Sequence, residues 1–267
     1  MIFRPNHLQP SSGNRFGLKM LNLQTINANC ENLRKFISSA DYFHTKSENN
    51  HKILINFKNK IDGIELLKAI KNDAIKVVFF DPQYRGILDK MKYGNEGVSR
   101  GKNRSDLPQM SFEIIENFLI EIQRVLKPSG YLFLWVDKFH LVDGIKTWFE
   151  KTPLLESVDM ITWNKETMGM GYRTRRTCEY LVIIQKKPKL AKSTWKIHNI
   201  RDNWSEKVSK SHPHSKPLEL QKLLIQATTE IDDLVCDPAA GGYSVLKACE
   251  ETNRNFIGGD IRFGEKL

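Results

Sequence analysis

Residues 75–84 read IKVVFFDPQY, an apolar run that ends in an acidic residue, a proline and, one residue later, an aromatic ring. This composition predicts a strand buried on both faces, Ile75–Phe80. Asp81-Pro82-Gln83-Tyr84 would then form the turn after it. Because ligands of an open α/β sheet bind at the carboxyl ends of its strands, Asp81 and Tyr84 are candidate site residues.

A second junction of strand and turn lies late in the chain. Residues 234–236 (LVC) read as a short buried strand, and residues 237–242 (DPAAGG) follow it as a turn. Gly241 and Gly242 would let the backbone approach a bulky cofactor closely. Two junctions of this kind predict two adjoining pockets, one with hydrogen-bond acceptors beside a flat ring and one for a cofactor.

Strands and helices alternate along the rest of the chain. Apolar residues at helical spacing predict a helix that begins after Ser111 and ends at residues 128–130 (PSG), and Pro217 begins another. Other predicted strands cover residues 53–57, 131–136, 158–163 and 180–185, and other helices cover 64–70 and 141–150. This order predicts an α/β fold with a doubly wound, mostly parallel sheet.

Length and charge bound the organisation and the partners. We expect one catalytic domain over residues 51–267, preceded by an arm or cap over residues 1–50 that is rich in Asn, Ser, His and Lys. A net charge of +10 favours a polyanionic partner such as nucleic acid. A basic surface without such a partner is the alternative.

Cysteine spacing predicts no metal site, and the lengths of the apolar runs predict no membrane-spanning segment. The cysteines are Cys30, Cys178, Cys236 and Cys249, and none of them forms a C-x-x-C pair, so we expect free thiols. Residues 1–14 lack the apolar stretch of a signal peptide, and no run approaches the roughly 18 apolar residues of a membrane span. A cytoplasmic, nucleoid-associated protein is the prediction.

The two junctions resemble motifs of the amino-methylating DNA methyltransferases that use S-adenosylmethionine, in the permuted β class. In that class the catalytic tetrapeptide precedes the cofactor turn. The resemblance runs from about Asp62 to the C-terminus and includes residues 212–217 (HPHSKP) and 255–260 (NFIGGD). It implies a Rossmann-like methyltransferase fold with inserted DNA-binding loops, S-adenosylmethionine as cofactor and double-stranded DNA as substrate. A homodimer and a cognate restriction endonuclease are compatible with it.

The resemblance implies that Asp81, Pro82 and Tyr84 are catalytic. The Asp81 carboxylate and the Pro82 carbonyl would accept hydrogen bonds from the target amine, and Tyr84 would stack on a base flipped out of the duplex. Gln83 stands where the family most often has a second proline. That difference puts the stiffness of the turn in doubt more than the hydrogen bonds.

The resemblance also implies a set of cofactor-binding residues. Asp260 would bind the ribose hydroxyls and Asp62 would lie near the adenine, although an N-cap role explains Asp62 equally well. Lys216 would pair with the cofactor carboxylate or support the turn, unless it is simply solvated. Ala239 replaces a phenylalanine usual in the family. The implied residues are Asp237, Pro238, Ala239, Gly241, Gly242, Ser244, Asp260, Asp62 and Lys216.

Two basic loops are candidate DNA contacts, with solvated loops as the alternative. Loop 85–110 contains Arg100, Lys102 and Arg104, and the loop over 165–176 contains Arg173, Arg175 and Arg176. Segment 186–211, with Trp195 and Trp204, occupies the family's target-recognition position. We expect this segment to share recognition with loop 85–110, and the N-terminal arm is a further candidate.

The resemblance favours adenine N6 as the target, because aspartate at the first tetrapeptide position is commoner among the adenine enzymes. Cytosine N4 is the alternative. Methylation of cytosine C5 is disfavoured, because that chemistry needs a cysteine nucleophile and the chain has no Pro-Cys pair. Methylation of RNA or of a protein amide, and a DNA-binding protein without catalysis, are the remaining alternatives.

Overall fold

The computed structural model describes residues 42–44, 53–82, 110–169, 173–208 and 215–265. The described residues all belong to one compact unit that extends from Ser38 to Leu267. The predicted arm and loop 85–110 fall almost entirely outside the described residues, and so do Tyr84, Arg100, Lys102 and Arg104.

Seven strands form one sheet in the order β5-β3-β4-β2-β1-β6-β7. They are β1 (Ile75–Phe80), β2 (Leu126–Val136), β3 (Leu155–Asn164), β4 (Cys178–Lys186), β5 (Asn203–Ser205), β6 (Leu234–Asp237) and β7 (Asn255–Gly258). Strand β1 is parallel to β2 and β6, β6 to β7, and β3 to β5. Strand β4 is antiparallel to both neighbours. The predicted mostly parallel sheet is confirmed.

Helices cover both faces of the sheet. They are α1 (Gly63–Ala69), α2 (Phe112–Val125), α3 (Lys138–Asp143), a 3₁₀ helix (Ile145–Phe149), α4 (Ala191–Thr194), α5 (Leu218–Thr228) and α6 (Ser244–Thr252). Successive residues of β1 point to opposite faces. Val78 and Phe80 pack with α1 and α2, whereas Val77 and Phe79 pack with α5 and α6. The doubly wound arrangement is therefore confirmed.

The helix predicted after Ser111 is present as α2. The Ser111 hydroxyl accepts a hydrogen bond from the Ile114 amide at 3.3 Å. The apolar residues at helical spacing are buried along one face, whereas Phe112 in the first turn is 46% exposed. The helix ends at Val125, and β2 begins at once, five residues earlier than predicted. Pro128 disfavours a helical conformation at the residue before it, which favours this early exit.

Two predicted elements differ in the structure. Residues 53–57 form no strand, because the Asn59 side chain binds their backbone instead. Its Oδ1 accepts from the Leu54 amide at 2.9 Å, and its Nδ2 donates to the carbonyls of Leu54, Phe57 and Gly258. The helix predicted over 141–150 is divided into α3 and the 3₁₀ helix at Gly144, whose φ is 89°.

Replacing Asn59 by alanine is expected to lower the free energy of unfolding by about 2–3 kcal/mol, because several buried backbone groups lose their partner. Urea denaturation measures the change. The control is Asn203→Ala, since Asn203 is exposed on β5. Equal losses in the two variants would contradict the role assigned to Asn59.

The cysteines in the described ranges are free thiols, as predicted. Cys236 and Cys249 are buried, and Cys178 is half-buried. Burial raises the pKa of the Cys236 thiol well above its ordinary value, so this thiol is protonated at neutral pH. No helix in the described parts of the chain is long and apolar enough to cross a membrane.

Candidate active site at the carboxyl edge of the sheet

The two turns singled out in the sequence are neighbours. Strands β1 and β6 are adjacent and parallel, with Val78 opposite Cys236, so both end at the same edge of the sheet. Asp81 and Pro82 directly follow β1, and Asp237 is the last residue of β6. Asp237 is also opposite Gly258, the last residue of β7. Asp81, Asp237 and Asp260 are thereby brought to one edge.

The turn after β6 places the N-terminus of α6 at this edge. The Ala240 amide donates to the Gly259 carbonyl at 3.1 Å, and the Tyr243 amide donates to the Ala240 carbonyl at 2.7 Å. Gly241 has a φ of 48°, a conformation that favours glycine. The helix begins at Ser244, and no side chain caps it. Its first amides are therefore suited to an anionic group.

Helix α1 packs directly against the same turn. A Cβ atom on Gly63 would lie 2.1 Å from the Pro238 carbonyl oxygen, so only glycine allows this approach. Asp62 is the N-cap of α1, and its Oδ1 accepts from the amides of Ile64 and Glu65 at 2.9 and 3.2 Å. The N-cap interpretation of Asp62 is confirmed, and its contact with a cofactor stays a prediction.

Asp260 links two turns of the backbone. Its Oδ2 accepts from the Gly241 amide at 3.2 Å, and its Oδ1 accepts from the amides of Arg262 and Phe263 at 2.7 and 2.8 Å. Strand β7 ends at Gly258, so Asp260 follows the strand and does not end it. The carboxylate thus lies beside the turn that the sequence assigned to the cofactor.

The Asp237 carboxyl is the most buried acid at this edge. Burial raises its pKa to about 8, and the nearby carboxylates of Asp81 and Asp260 act in the same direction. The Ala239 amide, which donates to its Oδ1 at 3.1 Å, and the Lys216 ammonium oppose the shift. The negative charges of Asp81 and Asp260 near this carboxyl favour a cationic ligand.

These features fit S-adenosylmethionine, the cofactor that the resemblance implies. The uncapped amides of α6 suit its carboxylate. The carboxylates of Asp81 and Asp260 suit its sulfonium and ammonium charges, and a carboxylate such as that of Asp260 can accept hydrogen bonds from ribose hydroxyls.

Lys216 connects the turn after β1 with β4. Its Nζ lies 2.9 Å from Asp81 Oδ2 and 2.8 Å from Glu179 Oε2, and 4.9 Å from the centre of the Trp135 ring. Lys165 Nζ contacts the other Glu179 oxygen, Oε1, at 3.2 Å. The Lys216 side chain is only 13% exposed, so the alternative of a solvated lysine is wrong. The pairing with Asp81 was not predicted.

Glu179 and Lys216 are both ionised at neutral pH. Burial would raise the pKa of Glu179, but the ammonium groups of Lys216 and Lys165 outweigh it and lower the pKa to about 2. Burial would lower the pKa of Lys216, but the carboxylates of Asp81 and Glu179 hold it well above its ordinary value. Glu179 was missed in the sequence. Its signal is an acidic residue at the start of a buried strand.

Glu206 fixes the start of α5, directly after Lys216. Pro217 is the N-cap and offers no side-chain hydrogen bond, whereas the Glu206 carboxylate accepts from the amides of Glu219 and Leu220 at 3.1 and 3.2 Å. The Trp204 indole donates to Glu206 Oε2 at 2.8 Å. The described part of segment 186–211 therefore holds the start of α5 in place through hydrogen bonds.

The other tryptophan of that segment, Trp195, also packs inside the protein. The Trp195 ring lies edge-on to Tyr131, with the ring centres 5.4 Å apart. Its indole donates to the Ile197 carbonyl at 2.6 Å. A role of the segment in target recognition stays a prediction.

The basic loop between β3 and β4 begins and ends at the same edge as Asp81. The Lys165 amide donates to the Thr177 carbonyl at 2.8 Å, and the Gly169 amide donates to the Arg176 carbonyl at 3.0 Å. The Arg176 guanidinium lies 5.3 Å from the centre of the Phe139 ring, whereas Arg173 and Arg175 are exposed. The described ends of the second predicted DNA loop thus lie at the same end of the sheet as Asp81.

Proteins with similar sequences are type II methyltransferases by name. The chain is 62% identical over 220 residues to the type II methyltransferase M.HhaII of Haemophilus parahaemolyticus, covering 82% of this chain and 96% of that protein. It is 25% identical over 230 residues to the type II methyltransferase M.HpaI of Haemophilus parainfluenzae, covering 75% of this chain and 68% of that protein.

Solved structures share the fold. A crystal structure of an M1.HpyAVI complex with S-adenosylmethionine has a TM-score of 0.55 at 20% identity and covers 79% of this chain and 93% of that one. The cytosine-N4-specific PvuII DNA methyltransferase has a TM-score of 0.58 at 16% identity and covers 80% and 86%. The predicted Rossmann-like methyltransferase fold is confirmed.

The family model for DNA methylases, N6_N4_Mtase, matches residues 75–265, from the first residue of β1 to the last described residue. This range contains both turns, the Lys216 contacts and Asp260. The chain therefore belongs to the N6/N4 family of DNA methylases.

Proposed function

We propose that this chain transfers a methyl group from S-adenosylmethionine to the N6 amine of an adenine in double-stranded DNA. Membership of the family makes DNA the substrate class and amine methylation the reaction. The observation that carries the proposal is the position of Asp81, which is paired with Lys216 beside the turn after β6. Aspartate at this position, commoner among adenine enzymes of the family, supports adenine over cytosine.

The chemical problem is a weak nucleophile. The lone pair of an exocyclic amine is delocalised into the ring, so the site must draw that electron density back onto nitrogen. Hydrogen bonds from the two amine hydrogens to the Asp81 carboxylate and the Pro82 carbonyl would do this and would also aim the nitrogen. Positioning and oriented charges of this kind contribute several kcal/mol to catalysis.

The cofactor contributes an activated methyl group on a positively charged sulfur. The uncapped start of α6 at Ser244 would bind its carboxylate, and Asp260 would bind its ribose hydroxyls. The Asp237 carboxyl, whose pKa burial raises to about 8, would gain a favourable partner in a cation. The acidic edge therefore favours the charged methyl donor.

DNA would approach the same edge. Arg173 and Arg175 are exposed in the loop between β3 and β4, and Arg176 is held at its base. We infer that these arginines contact phosphates or guanine edges, together with Arg100, Lys102 and Arg104. Tyr84, two residues beyond Pro82, would stack on the flipped base.

Two partners follow by analogy. M.HhaII and M.HpaI are type II methyltransferases by name. We therefore infer that this chain protects a site that a cognate restriction endonuclease cuts. A homodimer of this chain is compatible with its resemblance to the family. A cytoplasmic, nucleoid-associated location stays a prediction that follows from a DNA substrate.

Purified chain incubated with S-adenosylmethionine and unmethylated plasmid DNA is expected to form N6-methyldeoxyadenosine. Mass spectrometry of the digested nucleosides identifies the base, and single-molecule sequencing locates it in its sequence context. N4-methyldeoxycytidine as the product would replace the adenine assignment. Binding of DNA without any methylated nucleoside would support the alternative of a protein without catalysis.

A further inference from the structure

Four charges of alternating sign connect the loop between β3 and β4 with the catalytic turn. In order of contact they are Lys165, Glu179, Lys216 and Asp81, with N to O distances of 3.2, 2.8 and 2.9 Å. The members come from the ends of β3, β4 and β1 and from the residue before Pro217. No single helix or strand contains these four residues, so only the folded sheet brings them together.

Lys216 has two opposing effects on Asp81. An ammonium at 2.9 Å from Oδ2 orients the carboxylate, but it also withdraws charge that would otherwise strengthen hydrogen bonds from a target amine. A second carboxylate on the ammonium shares its charge. Glu179 provides that carboxylate, and the Trp135 ring 4.9 Å away provides a third contact to Nζ.

We propose that Glu179 is a positioning residue for methyl transfer. It holds the Lys216 ammonium between two carboxylates, so that Asp81 keeps one orientation at the end of β1 and remains a strong acceptor. Lys165 acts one step further away by orienting Glu179 through its other oxygen. The inference rests on the role proposed for Asp81 and adds to it a group that touches neither base nor cofactor.

The opposite ends of the same strands offer a matched comparison. Glu156 near the start of β3 is also ion-paired with two lysines, Lys187 and Lys189. Its side chain is 42% exposed, compared with 30% for Glu179. Glu156 lies at the amino end of the strand whose carboxyl end carries Lys165. The effect of losing a glutamate that pairs with two lysines can therefore be compared close to Asp81 and far from it.

Glu179→Gln is expected to lower the single-turnover rate of methyl transfer by about 10- to 100-fold, with the dissociation constant of S-adenosylmethionine changed less than about threefold. Glu156→Gln is expected to leave both values within about twofold. Rapid-quench kinetics measures the rate and calorimetry measures the affinity. Equal rates in the two variants would overturn the proposal, and so would a parallel loss of rate and cofactor affinity in Glu179→Gln.

A double-mutant cycle tests whether Lys165 and Glu179 are coupled. Lys165→Gln should lower the rate in the wild-type background and should have little further effect when combined with Glu179→Gln, because Lys165 acts through Glu179. Glu179→Asp, which keeps the charge, should recover part of the rate. Independent, multiplying effects, or no recovery by aspartate, would contradict the proposal. Wild-type turnover and loss of turnover in Asp81→Ala, measured in parallel, report on the proposed function separately.

Discussion

Replacing Asp81 by alanine is expected to lower the single-turnover rate of methyl transfer by about 1000-fold or more, and to leave the affinity for S-adenosylmethionine within about threefold. The reason is that the target amine loses the acceptor that localises its lone pair. The fold is expected to survive, because Lys216 keeps Glu179 as a partner at 2.8 Å. Rapid-quench kinetics and calorimetry measure the two quantities.

Asp81→Asn separates charge from shape, since asparagine keeps an acceptor oxygen but lacks the negative charge. We expect the single-turnover rate of Asp81→Asn to lie between the rates of the wild type and of Asp81→Ala. The matched control is Asp233→Ala, which removes an ion-paired aspartate at the amino end of the sheet, where Asp233 contacts Lys76 at 2.7 Å. Near-normal turnover in Asp81→Ala would refute the catalytic assignment.

Lys216→Met is expected to lower the free energy of unfolding by about 3 kcal/mol, because two half-buried carboxylates lose their shared cation. The Asp81 and Glu179 carboxylates both contact one ammonium and therefore lie close to each other. Without Lys216 their repulsion would raise the pKa of one of them and displace Asp81. We expect a loss of methyl transfer at neutral pH as well.

The stability difference between wild type and Lys216→Met should depend on pH in a defined direction. The pKa of Glu179 is lowered from 4.5 to about 2, so its contribution is present above pH 4.5 and is lost as the pH falls through 2. The pKa of Lys216 is raised above 10.5, so its contribution is complete below that value and is lost only at higher pH. The difference should be constant between about pH 5 and 10 and shrink in acid.

Urea denaturation at a series of pH values measures this difference. Lys76→Met is the control, since Lys76 pairs with Asp233 and its side chain is 37% exposed. A loss in Lys216→Met no larger than in Lys76→Met, or one that grows as the pH falls below 4.5, would contradict the role of Lys216 in stability.

Local patterns predicted much of the fold. The apolar run of β1 and the spacing of apolar residues in α2 both identify their elements, because burial depends on the order of residue types along the chain. Residues 53–57 defeated the same reasoning. Their apolar content suggested a strand, but a single buried side chain, Asn59, took their backbone hydrogen bonds.

The site was predictable where a motif ends a strand. Asp81, Asp237 and Asp260 lie at the carboxyl ends of β1, β6 and β7, and the sheet order brings them together. Glu179 and Glu206 were missed because each acts on a residue distant in the sequence. Glu179 contacts Lys216, and Glu206 binds the first turn of α5.

The order of residues by itself therefore determined which segments become buried strands, which turns follow them and what chemistry those turns offer. Only the tertiary structure decided that Lys216 would face Asp81 and Glu179, because that meeting depends on β4 running antiparallel beside β2 and on where α5 begins. Periodicity reports which side chains within one segment are buried. An ion pair between distant segments depends on the register and direction of whole strands.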